Sequence, residues 1–277
     1  MGIQQALIEQ LKEKQLILTV TAGRTGTAFL HNLFRLFPAV DSAHEEEPNY
    51  LHVMRRVQTQ PAEATRFLTK FKFPVIAASS SGTIAETSHL FCKGFLEPMI
   101  NLGVYPDLVL LRRNPRRIAL SLLERNTIPG RTSTGTDYLV CPSDPNTLPL
   151  LLWEGLTDYQ LCFWYALEIE RRQHRYGDYM QQLGRKVCDV TANELHAPDE
   201  FLRMAKIFSL AIPDRDALLR QHREIASTDY NKTPEVREQT FDLDAAEQEV
   251  WEGVSYYEPL LHQRVTDRYR DEVSAMV

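Results

Sequence analysis

Residues 16–28 read Leu16-Ile17-Leu18-Thr19-Val20-Thr21-Ala22-Gly23-Arg24-Thr25-Gly26-Thr27-Ala28. The first five form a short apolar, partly β-branched run that stops at small residues, which predicts a buried parallel strand. Beyond the loop, Leu30, Leu33, Phe34 and Phe37 recur at helical spacing, and Pro38 closes the pattern. Strand, small-residue loop and amphipathic helix in that order are the layout of a phosphate cradle. Small residues let backbone N–H groups approach an anion, and the helix N-terminus adds partial positive charge. Arg24 supplies a full charge, and Thr25 and Thr27 supply hydroxyl donors. A Walker A loop needs a lysine after its second glycine, and here Thr27 follows Gly26. A tight strand–helix turn with an exposed arginine is the other reading of the same residues.

Working outward, Pro74–Ala78, Leu108–Leu111 and Lys186–Val190 are further strand candidates. Helical patterns fall around 55–70, 93–102, 115–125 and 157–183. Strands alternating with helices predict an α/β fold of three layers: a mainly parallel central sheet with helices on both faces, of the P-loop nucleotide-binding type. The whole of 1–277 reads as one domain. Residues 126–149 carry two glycines and four prolines (Pro129, Gly130, Gly135, Pro142, Pro145, Pro149) and predict a long loop or lid. Leu161–Leu167 is apolar all round and predicts a deeply buried helix.

The 277 residues are 43% hydrophobic and 25% charged, with a formal charge of −6. That balance argues against general nucleic-acid or anionic-membrane binding, so an anion site has to be a local basic pocket. Four scattered cysteines without a CxxC pair predict reduced, buried thiols rather than disulfides or zinc. No secretory leader, myristoylation pattern or apolar run of about 18 residues is present, which points to the cytoplasm and to no membrane span.

A second basic constellation is Arg112-Arg113-Asn114-Pro115-Arg116-Arg117, with Ser121 following. Asn114 suits an N-cap and Pro115 the first helical position. Arg117 and Ser121, four apart, are expected on one helix face. An anion there would meet Arg113, Arg117 and the Ser121 hydroxyl; a solvated basic helix start is the alternative.

Arg113-Asn114-Pro115 with Ser121 eight residues after the arginine resembles the 3′-phosphate motif of sulfotransferases that use 3′-phosphoadenosine 5′-phosphosulfate (PAPS). Gly23-Arg24-Thr25-Gly26-Thr27 resembles the same family's 5′-phosphosulfate loop, with Ala28 where many members carry a second threonine. Val190–Leu195 with Pro198, and His222–Arg237 with Lys232 and Arg237, fall in the order of softer family segments. The second of these sits where members place a basic loop over the cofactor. A tyrosine common before the glutamate of the first segment is absent, since Ala192 and Asn193 stand there. The resemblance spans roughly residues 15 to 240. It implies sulfuryl transfer from PAPS to a hydroxyl or amine of a small-molecule acceptor, leaving adenosine 3′,5′-bisphosphate, with no metal required.

Such transfer needs positive charge at the leaving oxygen, for which Arg24 is the candidate, and a base near the acceptor proton. Ala85-Glu86-Thr87-Ser88-His89-Leu90 is similar to the "K-T-H-L-P" stretch of cytosolic members, with Glu86 and Ser88 departing from it, and implies His89 as base. Glu47, in Glu47-Pro48-Asn49, resembles the "E-P-H-F-F" glutamate of heparan-type members. Imidazole is tuned nearer neutrality, which favours His89. Glu45–Glu47 otherwise read as a solvated acidic face, His31 and His52 as helix-surface residues, and Arg171, Arg172 and Arg175 as a solvated helix face. The aromatic residues Trp153, Tyr159, Phe163, Trp164 and Tyr165 either shape an acceptor pocket or fill the core. A kinase-like phosphotransferase and a catalytically inactive sulfotransferase-like binding protein are the competing functions. Oligomeric state leaves no mark on the sequence.

Overall fold

The computed structural model describes residues 3–228 and 241–274. Its strands are β1 Gln15–Val20, β2 Val40–Ala43, β3 Thr83–Glu86, β4 Asp107–Arg112 and β5 Val187–Thr191. They form one sheet in the order β2-β3-β1-β4-β5, and every neighbouring pair is parallel. Successive side chains of a strand face opposite ways, and the core divides accordingly. Leu16, Leu18, Val20, Ile84, Leu108 and Leu110 pack on one face. Ile17, Ala85, Val109, Leu111, Cys188 and Val190 pack on the other.

The first half of the chain contributes helices α1 Ile3–Lys12, α2 Thr27–Phe34, α3 Leu51–Thr59, α4 Ala62–Phe67, α5 Phe73–Ala78, α6 Leu96–Asn101 and α7 Pro115–Glu124. Then come α8 Ser133–Tyr138, α9 Asp158–Gln182, α10 Ala192–Leu195, α11 Pro198–Phe208, α12 Arg215–Ala226, α13 Leu243–Ser255 and α14 Leu261–Ser274. Helices α2, α11 and α12 cover the second face through residues such as Leu33, Phe201 and Leu218. The first face is covered chiefly by α1, α3, α5, α6, α7 and α9. Helices therefore lie on both faces of an all-parallel sheet. Among the described residues, no helix is long and apolar enough to cross a membrane.

Four expectations are corrected. Pro74–Ala78 is not a strand but lies in α5, where Phe73 and Ile76 are buried while Val75 is 54% exposed. A five-residue apolar run does not distinguish the two periods, and here the three-residue spacing won. The neighbouring strand is Thr83–Glu86, and β2 at the sheet's edge, Val40-Asp41-Ser42-Ala43, is too polar to stand out.

Residues 126–149 do not stand off as a lid. Ile128, Leu139, Val140 and Leu148 are buried, and Thr132 caps α8 by accepting from Gly135 N–H. Trp164 Nε1–H donates to Leu148 O at 2.9 Å, and Leu148 N–H donates to Glu168 at 2.9 Å.

Arg171 and Arg172 are not solvated. Both are buried against the fully buried Glu168, one turn earlier on α9. Arg172 also donates to Cys92 O at 2.8 Å, and Arg171 to Asn146 O at 2.9 Å. This ion triad ties 126–149 and the turn after β3 to the central helix. Helix α9 is buried through Leu161–Leu167, where Tyr159, Phe163, Trp164 and Tyr165 are core residues. All four cysteines are free and buried.

His31, finally, is half-buried rather than on the helix surface, with Nδ1 at 2.8 Å from Ser42 Oγ.

Candidate functional site

Because all five strands run in parallel, their carboxyl ends share one edge of the sheet. Thr21–Gly26 leave that edge from β1, His44 and Glu45 from β2, Thr87–His89 from β3, Arg113 from β4 and Ala192 from β5. The chain passes from β1 toward β2 on one side and from β4 toward β5 on the other. The crevice between the ends of β1 and β4 is thus a topological switch point, the usual ligand position of open α/β sheets.

The loop after β1 turns sharply there. Gly23 (φ 80°), Arg24 (φ 57°) and Gly26 (φ 98°) all occupy the left-handed region. Glycine is demanded twice for space as well. A Cβ on Gly26 would lie 2.7 Å from Ala192 Cβ, and one on Gly23 would lie 3.1 Å from His89 Cγ. Beneath the loop, Tyr165 Oη–H donates to Ala22 O at 2.7 Å, and the hydroxyls of Thr21 and Thr25 meet at 2.5 Å. Gly26 is the N-cap of α2, so Thr27 and Ala28 open its first turn, where backbone N–H groups have no helical acceptor.

Two guanidinium groups converge on this loop. Arg113 Nη1–H donates to Arg24 O at 2.5 Å, and Arg24 Nε–H donates to Ser121 Oγ at 3.3 Å. Asn114 accepts from Arg116 N–H at 3.0 Å and starts α7 at Pro115. Burial, and then the like charges of Arg125 and Arg113, lower the Arg24 pKa. No carboxylate among the described residues is ion-paired with Arg24. Positive charge gathered over a glycine loop without a carboxylate partner for Arg24 is an arrangement that an anion would stabilise.

The adjacent Arg112 is spent structurally, buried between Glu170 and Asp189. On α7, Arg117 is exposed and Ser121 is buried. Lys232 and Arg237 lie outside the described residues.

His89 packs on the same loop, its side chain only 14% exposed. Its ring stacks on Tyr138 with centroids 6.0 Å apart. Nδ1 lies 2.9 Å from Lys93 Nζ, and Nε2 lies 3.4 Å from Glu45 Oε1. Burial first, then the charges of Lys93, His44 and Arg24, hold the imidazole pKa well below its usual value. The ring is therefore neutral at physiological pH.

Glu47 is not part of this cluster. Its side chain is 72% exposed, bound to His52 at 2.8 Å and to Asn49 N–H at 2.9 Å. Those two hydrogen bonds lower its pKa and weaken it as a base. Glu45, two residues earlier, takes the position beside His89. Lys93 belongs to no motif that the sequence displays. The available signal was a lone charge in the apolar run Leu90-Phe91-Cys92-Lys93-Gly94-Phe95.

Among the described residues, no group of three or more His, Cys, Asp or Glu side chains is placed to hold a metal ion. No protein-family model matches the chain, and no curated protein matches it.

Proposed function

We propose that the chain is a cytoplasmic P-loop-type sulfotransferase that takes a sulfuryl group from PAPS to a hydroxyl or amine of a small-molecule acceptor. The observation that carries the reading is the meeting of two parts at one sheet edge. A glycine loop gathers Arg24, Arg113 and Ser121 with no carboxylate partner for Arg24, and a neutral imidazole packs against Gly23 of that same loop.

These residues fit a donor carrying two phosphates. Gly23–Ala28 and the first turn of α2 would hold the 5′-phosphosulfate, and Arg113 with Ser121 the 3′-phosphate. PAPS, when bound, supplies the activated sulfuryl group. The protein's own part is to neutralise charge and to move a proton. Arg24 would supply the cation that negative charge on a leaving oxygen needs. His89 Nε2 would accept the acceptor's proton, and its neutral state and position favour it over Glu47.

Thermal denaturation with adenosine 3′,5′-bisphosphate, adenosine 5′-phosphate and Mg-ATP tests the donor site. The bisphosphate is expected to raise the melting temperature, and Arg113→Ala to weaken the bisphosphate more than the monophosphate. No shift by saturating bisphosphate or PAPS overturns the proposal, and a shift by Mg-ATP alone would indicate a phosphotransferase. Bisphosphate binding without sulfuryl turnover on any hydroxyl or amine acceptor would leave a binding protein.

A further inference from the structure

Lys93 follows β3 by seven residues and is fully buried. Its Nζ lies 2.9 Å from His89 Nδ1, also donates to Tyr138 O, and sits 5.1 Å from the centre of the Tyr165 ring. Among the described residues it has no carboxylate partner; Glu45 acts on it only from beyond ion-pair contact. The charged and titratable groups around the pair come from every neighbouring element. They are Arg24 from the glycine loop, His44 and Glu45 after β2, Cys92 on the same turn, Tyr138 at the end of α8, and Tyr165, Glu168 and Arg172 on α9.

We infer that Lys93 is a positioning residue which decides the ring nitrogen of His89 that carries the proton, so that the two form one proton-sharing pair. The inference rests on the reading of His89 as base only for its consequence in turnover. An ammonium has three N–H donors and no lone pair. While Lys93 is charged it donates to Nδ1, and the single proton of the neutral ring resides on Nε2, toward Glu45. In that state Nε2 has no lone pair to offer an acceptor. When Lys93 loses one proton, its amine accepts from Nδ1–H while still donating to Tyr138 O, and Nε2 is left bare.

The proton count then closes. Nε2 takes the acceptor's proton, the ring passes its Nδ1 proton to Lys93, and the pair ends as neutral imidazole plus ammonium. Release of one proton to solvent resets it. Burial above all pulls the Lys93 pKa down to about 7, so both states are populated near neutrality.

Nitrogen-15 NMR of the histidine-labelled protein between pH 5.5 and 9 reads the tautomer without any donor bound. The expected result is an exchange of the His89 proton from Nε2 to Nδ1 with a midpoint near 7. Lys93→Arg, whose charge persists, should keep the Nε2–H form throughout, and Lys93→Met should abolish the exchange. A single wild-type tautomer across the range, or variants that titrate like wild type, would overturn the inference. The wild-type titration needs no variant, and the bisphosphate thermal shift verifies that each variant folds.

In turnover, kcat should rise with pH through about 7 and fall about 100-fold in Lys93→Arg at unchanged bisphosphate affinity. Should His89→Gln turn over normally while the wild-type exchange is present, the base reading fails and the pair stands. Should His89→Gln be inactive and no exchange occur, the pair fails and the base reading stands.

Discussion

Replacing Lys93 with methionine keeps the side-chain stem and removes the amine, and its effect on stability should depend strongly on pH. Lys93 is fully buried, and burial lowers its pKa from 10.5 to about 7 in the folded chain. Its folded pKa is thus below its unfolded one, and between these values the unfolded chain binds more protons. Wild-type stability therefore rises as pH rises from about 7 toward 10.5. At about 1.36 kcal/mol per unit, the lysine costs about 5 kcal/mol below pH 7 and about 2 kcal/mol at pH 9.

Methionine removes that cost but leaves Tyr138 O and His89 Nδ1 unbonded, a loss of about 1–3 kcal/mol that does not vary with Lys93 protonation. The variant should accordingly be more stable than wild type at pH 6 and close to it at pH 9, a change of about 3 kcal/mol in the difference. Urea unfolding followed by tryptophan fluorescence at pH 6, 7.5 and 9 measures it, with equal slopes required of both proteins. A difference that stays constant across this range would show that Lys93 keeps its charge in the folded state, and the reasoning would be refuted.

Three further outcomes follow from single side chains. Glu168→Gln leaves the buried Arg172 without its anion and Arg171 with only the longer contact to Glu258 at 3.7 Å, and should cost about 3–5 kcal/mol in urea unfolding, with faster proteolysis within 126–149. Gly26→Ala meets both a left-handed φ of 98° and a 2.7 Å approach to Ala192. It should lose about 1–3 kcal/mol and weaken bisphosphate binding in the same thermal-shift series. Arg24→Met relieves repulsion from Arg113 and Arg125, so the ligand-free melting temperature should hold or rise while bisphosphate affinity, by calorimetry, falls about tenfold to a hundredfold.

What local chemistry determines was legible in the sequence. Leu16–Val20 and Leu108–Leu111 are buried strands because continuous apolar runs of that length suit a sheet covered on both faces. Gly23 and Gly26 mark left-handed turns, and Asn114-Pro115 starts a helix, through interactions that reach only a few residues along the chain. Pro74–Ala78 misled because five apolar residues satisfy either period, and packing against α1 decided for the helix.

Other features depended on partners distant in sequence. Arg171 and Arg172 look solvated until their carboxylate, Glu168, is buried with them beneath 126–149. The replacement of Glu47 by Glu45 beside His89, and the pairing of His89 with Lys93, arise where loops from β2 and β3 meet the glycine loop of β1. Strand order and parallel direction put those loop ends at one edge, and no spacing within a single segment encodes that meeting.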